Sequence, residues 1–185
     1  MKRGMNQLNN TRVMIFIDGS NLHWGVKSYN EDNKVNLKID YTKFIPLLAK
    51  DRVVVRTLYY CSKPVPPTLS SQVRFFDYLR SIGIQVLDKP LKTRTDSTTG
   101  AVRYVEKGVD VALATDLIGM AWENAYDAAI IVSGDADYAG AVGKVMSKGK
   151  NVEVASFRKS LSKELKEAAL TKWFLDDYIH QIKLS

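Results

Sequence analysis

The sequence predicts an α/β domain: a doubly wound, mainly parallel five-stranded sheet of order 3-2-1-4-5, with helices on both faces. Three observations predict it. Val13 to Ile17 and Ala129 to Val132 are short unbroken apolar runs, which suit strands buried on both faces. Strand-like and helix-like segments alternate along the chain, which implies a parallel sheet covered on both sides. Right-handed crossovers then make the doubly wound order the natural one.

The first run, Val-Met-Ile-Phe-Ile, ends in Asp18-Gly-Ser-Asn21, a polar turn, and Leu22 to Tyr29 reads as a short helix. Glu31 to Lys38 reads as loop. Asp40 is placed to cap a helix over Tyr41 to Ala49, where Phe44, Leu47 and Leu48 have helical spacing and Pro46 predicts a kink or a late start. Arg52 to Cys61, rich in Val, Leu and Tyr, reads as a strand. Ser62 to Thr68 holds three prolines and reads as loop. An amphipathic helix follows over Leu69 to Ser81, ended by Gly83. Ile84 to Leu87 is a short strand, Lys89 to Val105 a β-hairpin or flap, and Val109 to Glu123 a long, mostly apolar helix. After the Ala129 to Val132 strand come a helix over Tyr138 to Lys148 and a last strand over Asn151 to Ala155. Leu161 to Leu170 reads as an amphipathic helix, and Trp173 to Ile182 as a final short one. The predicted organisation is a loose tail over residues 1–11 and a single domain over 12–185, with C-terminal helices from about residue 160.

Composition narrows the function classes. With 45% hydrophobic and 25% charged residues, the chain reads as an ordinary soluble domain. No stretch approaches the roughly 18 apolar residues of a membrane span. Met1 to Arg12 is polar and lacks the apolar core of a secretory signal. Cys61 is the only cysteine, which excludes an intramolecular disulfide and, with that polar start, favours the cytoplasm. The net charge of +7 points to a polyanionic partner, of which nucleic acid is the commonest. Nothing in the sequence decides whether the chain is a monomer or a homo-oligomer.

The chemistry-bearing residues are aspartates. The central strand delivers Asp135 and Asp137 to its C-terminal end, where ligands bind in open α/β sheets. The ordinary alternative is that they cap the next helix. In the predicted order Asp18 and Asp135 stand side by side at the switch point. Asp110 falls in the first turn of the long helix, where an acid can serve the helix dipole alone. Asp116, six residues on, projects away from Asp110, toward an arginine or a backbone amide. Several carboxylates in one cleft repel each other, and a hard divalent ion with oxygen ligands, Mg²⁺ or Mn²⁺, is the usual remedy. With His23, His180 and Cys61 the only histidines and thiol, a tetrahedral zinc site has little support. No phosphate-binding glycine loop and no nucleophile elbow is present. Metal-assisted displacement at phosphorus remains.

Phe16-Ile-Asp18-Gly-Ser-Asn21-Leu, Lys107-Gly-Val-Asp110-Val-Ala-Leu-Ala-Thr-Asp116 and Val132-Ser-Gly-Asp135-Ala-Asp137-Tyr138 resemble, in order and spacing, the three core motifs of NYN domains. The subgroup most similar is that of the LabA-like bacterial proteins, within the wider PIN-like nuclease fold. The resemblance covers about residues 12 to 158. It implies an Mg²⁺- or Mn²⁺-dependent ribonuclease, or that ancestry. It gives Asp18, Asp110, Asp135 and Asp137 the catalytic, metal-binding roles. Asn21 and Ser133 take supporting polar roles, and Asp116 matches a frequent family acid.

Between residues 89 and 107, five basic residues (Lys89, Lys92, Arg94, Arg103, Lys107) face two acids, so this hairpin is a candidate grip on single-stranded RNA. Lys107, beside the Asp110 motif, doubles as a supporting residue. Tyr104, Trp24 and Tyr138 are candidates to stack on unpaired bases. Arg158, Lys159, Lys163 and Lys166 share their segment with Glu164 and Glu167 and read as a solvated face. The alternative to the enzyme is an RNA-binding or regulatory module that keeps the acids without cutting. A dehalogenase-type phosphatase is disfavoured, because Ser20 stands where its second acid belongs. A receiver domain is disfavoured because the acids gather at strands one and four, not at strand three.

Overall fold

The computed structural model describes residues 10–63, 70–95, 102–105 and 108–184. Its main sheet is wholly parallel. It is built from β1 (Arg12–Asp18), β2 (Val53–Lys63), β3 (Gln85–Pro90), β6 (Ala128–Val132), β7 (Asn151–Ser156) and β8 (Thr171–Phe174), in the order β3-β2-β1-β6-β7-β8. The first five follow the predicted doubly wound order. β8 is a sixth strand and corrects the expected count.

The correction has a local cause. Thr171–Phe174 falls inside the span read as a final helix, yet it pairs with β7 from Glu153↔Thr171 to Ser156↔Phe174. Trp173 is buried there and donates its indole N–H to Glu153 Oε2 at 2.8 Å. Glu153 in turn receives the Arg52 guanidinium at 2.6 Å, in a pair almost closed to solvent. Helical structure resumes only after the strand, as a 3₁₀ turn at Leu175–Tyr178 and the short helix α7 (Ile179–Ile182). Before it, the expected 161–170 helix shrinks to α6 (Lys163–Ala168), which Ser162 caps by accepting from the Leu165 amide.

The helices cover both faces. Alternate residues of β1 show why: Val13, Ile15 and Ile17 belong to one core, Met14 and Phe16 to the other. The first core lies under α1 (Gly19–Asn33), α2 (Tyr41–Ala49), α3 (Ser70–Ser81) and α7; the second lies under α4 (Val109–Trp122), α5 (Ala139–Ser147) and α6. α1 is longer at both ends than predicted: Asp18 caps it from the last residue of β1, and it runs through the start of the expected loop to a left-handed cap at Lys34. Asp40 caps α2 as expected, and Pro46 is accommodated inside that helix. α5 is preceded by a 3₁₀ turn at Ala136–Tyr138.

The predicted hairpin is present as β4 (Lys92–Thr95) and β5 (Val102–Val105), an antiparallel pair separate from the main sheet, with Arg94 opposite Arg103. Its tip, the proline-rich 64–68 segment, and the expected tail except for residues 10 and 11 lie outside the described residues. No described helix is long and apolar enough to cross a membrane.

Candidate active site

β1 and β6 are neighbours, with Ile17 opposite Val132, so Asp18 and the Ser133-Gly134-Asp135 turn leave the sheet at the same end. That is the carboxyl end of a parallel sheet, at the point where strand order reverses. The N-terminus of α4 completes the hollow. A cleft of about 300 Å³ is lined by Asp18, Ser20, Asn21, Val109, Asp110, Asp135 and Tyr138. Three carboxylates from three separate elements therefore meet in one place.

Asp18 is the buried member, 6% exposed. Its Oδ1 accepts from the Asn21 backbone N–H at 2.9 Å, which closes the first turn of α1. Its Oδ2 accepts from Tyr138 Oη at 3.1 Å and Ser133 Oγ at 3.2 Å. Burial pushes its pKa above the ordinary carboxylate value; these three donors oppose the shift, and the nearby Asp135 adds to it. Burial likewise raises Tyr138, reinforced by Asp18, Asp135 and Asp110, so its phenol keeps its proton and acts as a donor.

Asp135 is exposed and caps the 3₁₀ turn, its Oδ1 accepting from the Asp137 N–H at 3.0 Å. The turn itself is held from two sides. Asn21 Oδ1 accepts from the Gly134 N–H at 2.9 Å, and Ser133 Oγ accepts from the Asp135 N–H at 3.2 Å. Asn21 and Ser133 thus join the α1 turn to the β6 turn. Gly134 is required by close approach: a Cβ there would lie 1.9 Å from the Ser160 carbonyl oxygen.

The other candidates fall elsewhere. Asp137 is exposed and does not line the cleft; it contributes a backbone N–H to Asp135. Asp116 accepts from Tyr60 Oη at 2.8 Å, so its partner is a phenol and not the expected arginine or amide. Tyr138, read as a surface for stacking bases, is 1% exposed and holds Asp18 instead. Trp24 is 59% exposed but lies outside the cleft lining, beside Lys27. Lys89 is exposed at the end of β3. Lys92, Arg94, Arg103 and Tyr104 lie on β4 and β5. Lys107 lies outside the described residues. Sequence reasoning missed Ser20 and Val109 as lining residues, although both sit beside a motif acid. It also missed Tyr138 as Asp18's donor; the only signal was a tyrosine three residues past Asp135.

Among the described residues the lining offers carboxylate, hydroxyl and amide oxygens, with no sulfur or imidazole. That donor set is the chemistry of a hard cation. Among the described residues, however, no three His, Cys, Asp or Glu side chains are grouped closely enough to share one ion directly.

A doubly wound α/β domain with an acidic cleft at its switch point is the class that this fold and site define. The NYN domain model matches residues 12–176, and the chain belongs to that family. It is similar to the low amplitude and bright protein LabA of Synechococcus elongatus, 25% identical over 158 residues, covering 85% of this chain and 80% of LabA. A crystal structure of a protein of unknown function from Vibrio parahaemolyticus has the same fold. Its TM-score is 0.72 at 24% identity, over 95% of this chain and 98% of that one.

Proposed function

We propose that the protein is a metal-dependent ribonuclease that hydrolyses phosphodiester bonds of single-stranded RNA at the acidic cleft. The observation that carries this reading is the convergence of Asp18, Asp110 and Asp135, from three elements, on one cleft. Membership of a family whose domains are generally nucleases supports it, and the oxygen donor set supports Mg²⁺ or Mn²⁺. Mg²⁺ keeps several waters and takes only one or two carboxylates directly. Asp135 and Asp110, both exposed, are the direct ligands in this reading, with Asp18 behind them. When bound, such an ion activates water and offsets phosphate charge.

The chain's own residues then have distinct tasks. Tyr138, Ser133 and the Asn21 amide hold Asp18 in one orientation. Asn21 and Ser133 fix the turn that carries Asp135, and Asp137 contributes through its backbone N–H. Lys89, Lys92, Arg94, Arg103 and Lys107 grip the strand by its phosphates. We place this activity in the cytoplasm.

A second reading is a non-catalytic RNA-binding regulator of the same fold. One observation favours it: among the described residues no three acids are grouped to share an ion. The two readings separate in one assay, in which labelled single-stranded RNA is incubated with protein and Mn²⁺, with and without a chelator. Cleavage that stops on chelation supports the nuclease; RNA retained but never cut supports the regulator.

A further inference from the structure

Among the described residues, three carboxylates and no lysine or arginine line the acidic cleft. It repels a phosphate chain, so the grip on a strand must come from outside it. Two hollows continue from it along α1. One, of about 550 Å³, shares Ser20 with the cleft and reaches Leu91 at the root of the β4–β5 hairpin. The other, of about 730 Å³, shares His23, Tyr59 and Phe75 with the first and lies between α1 and α3. From Ser20 to Lys27 the helix rises only about 10 Å, so the three hollows are close enough for one strand to cross.

We propose that the α1–α3 groove is a base-binding subsite, in which unpaired bases of the RNA entering the acidic cleft stack on Phe75 and Tyr78. The proposal rests on the nuclease reading for its substrate.

The groove suits a planar apolar group with polar edges. Leu22 and Val26 of α1 form one wall, and Phe75 and Tyr78 of α3 the other. The floor is Tyr41 and Tyr59, both buried, whose rings meet edge to face with centroids 6.2 Å apart. Tyr78 is 38% exposed, so its ring is open to a partner. Its size is within the usual range for pockets that bury a small planar ligand. The rim favours a polyanion: among the described residues Lys27 and Lys38 stand against one acid, Glu31, which pairs with Lys27 at 4.0 Å. Aromatic platforms beside a cationic rim are how single strands are held without sequence preference. The groove is thus linked to the cleft through a hollow that shares lining residues with both, and is chemically matched to what the cleft would cut.

The test measures binding of a single-stranded RNA of about eight nucleotides, a length typical of such sites, by fluorescence anisotropy with chelator present. The full chain is compared with Tyr78→Ala, Tyr78→Phe and Val26→Glu, each checked for folding by its melting transition. Tyr78→Ala and Val26→Glu should each weaken binding by about tenfold, while Tyr78→Phe, which keeps the ring, should bind as the unaltered chain does. An abasic strand of equal length keeps the phosphates and loses the bases, so on it Tyr78→Ala should bind no worse than the unaltered chain. Unchanged affinity in Tyr78→Ala, an equal loss on the abasic strand, or no RNA binding by the unaltered chain would overturn the subsite. A loss confined to strands with bases, in a protein that never cleaves with Mn²⁺, would leave the subsite standing and remove the nuclease reading.

Discussion

At Asp18 an ordinary structural role and the proposed chemical one coincide. Its Oδ1 caps α1, and its Oδ2 is held by two hydroxyls in a nearly closed setting. Asp135 caps the 3₁₀ turn, and Asp110 sits in the first turn of α4. Each is therefore also the cap or helix-dipole acid that the sequence allowed. The three acids were legible because each follows a strand or opens a helix. Tyr138 was not, because a tyrosine after a turn gives no sign of whether it faces solvent or core. Tyr138→Phe should leave the fold intact, costing about 1 kcal/mol for the lost hydrogen bond. RNA cleavage should fall several-fold with KM little changed, since Asp18 loses a donor that orients it and no substrate contact is removed. Steady-state kinetics on the melted-and-compared pair of proteins checks this; an unaltered kcat would remove Tyr138 from the site.

The turn after β6 depends on an element with no evident role in the sequence. The segment from Arg158 to Ser162 passes directly over Gly134: the Ser162 N–H donates to the Gly134 carbonyl at 2.9 Å, and the Ser160 carbonyl fills the space of a Cβ. The C-terminal elements thus hold the loop that presents Asp135. Alternation of apolar runs made β1, β2, β3, β6 and β7 readable. β8 was not, because four residues between two helical stretches carry too little periodicity, and what stabilises them is a remote partner, Glu153. Gly134→Ala should destabilise the protein by about 1–3 kcal/mol, the cost of overpacking, read as a lowered melting temperature. A melting temperature equal to that of the unaltered chain would mean that the 158–162 segment yields freely.

The sheet as a whole puts the candidate site at one end and a stabilising ion pair at the other. The cleft lies at the carboxyl end, and at the opposite end Arg12 pairs with Asp127, joining the starts of β1 and β6 at 2.8 Å. The Arg12 hydrogen bonds hold Asp127 below the ordinary carboxylate value of 3.8. A carboxylate with a lowered native pKa stabilises the fold fully above its unfolded value and loses that contribution as pH falls through its native value. Asp127→Asn should therefore melt lower than the unaltered chain at neutral pH, with the gap closing well below 3.8. A gap that persists unchanged in acid would assign the effect to packing. RNA cleavage near neutral pH should be unaffected, because this pair is at the far end of the sheet.

The proposed ribonuclease activity at the acidic cleft is tested by setting Asp135 against Asp137, two residues apart and both exposed, of which only Asp135 lines the cleft. Asp→Asn at either position keeps the shape and removes one negative charge. Mn²⁺ affinity and the rate of RNA cleavage are measured for both variants and for the unaltered chain, with folding checked on the same preparations. Asp135→Asn should lose cleavage by at least about a hundredfold, as expected for a direct ligand, while Asp137→Asn should stay within a few-fold of the unaltered chain. Cleavage by Asp135→Asn at the unaltered rate, from a folded protein, would contradict the proposed activity at the cleft.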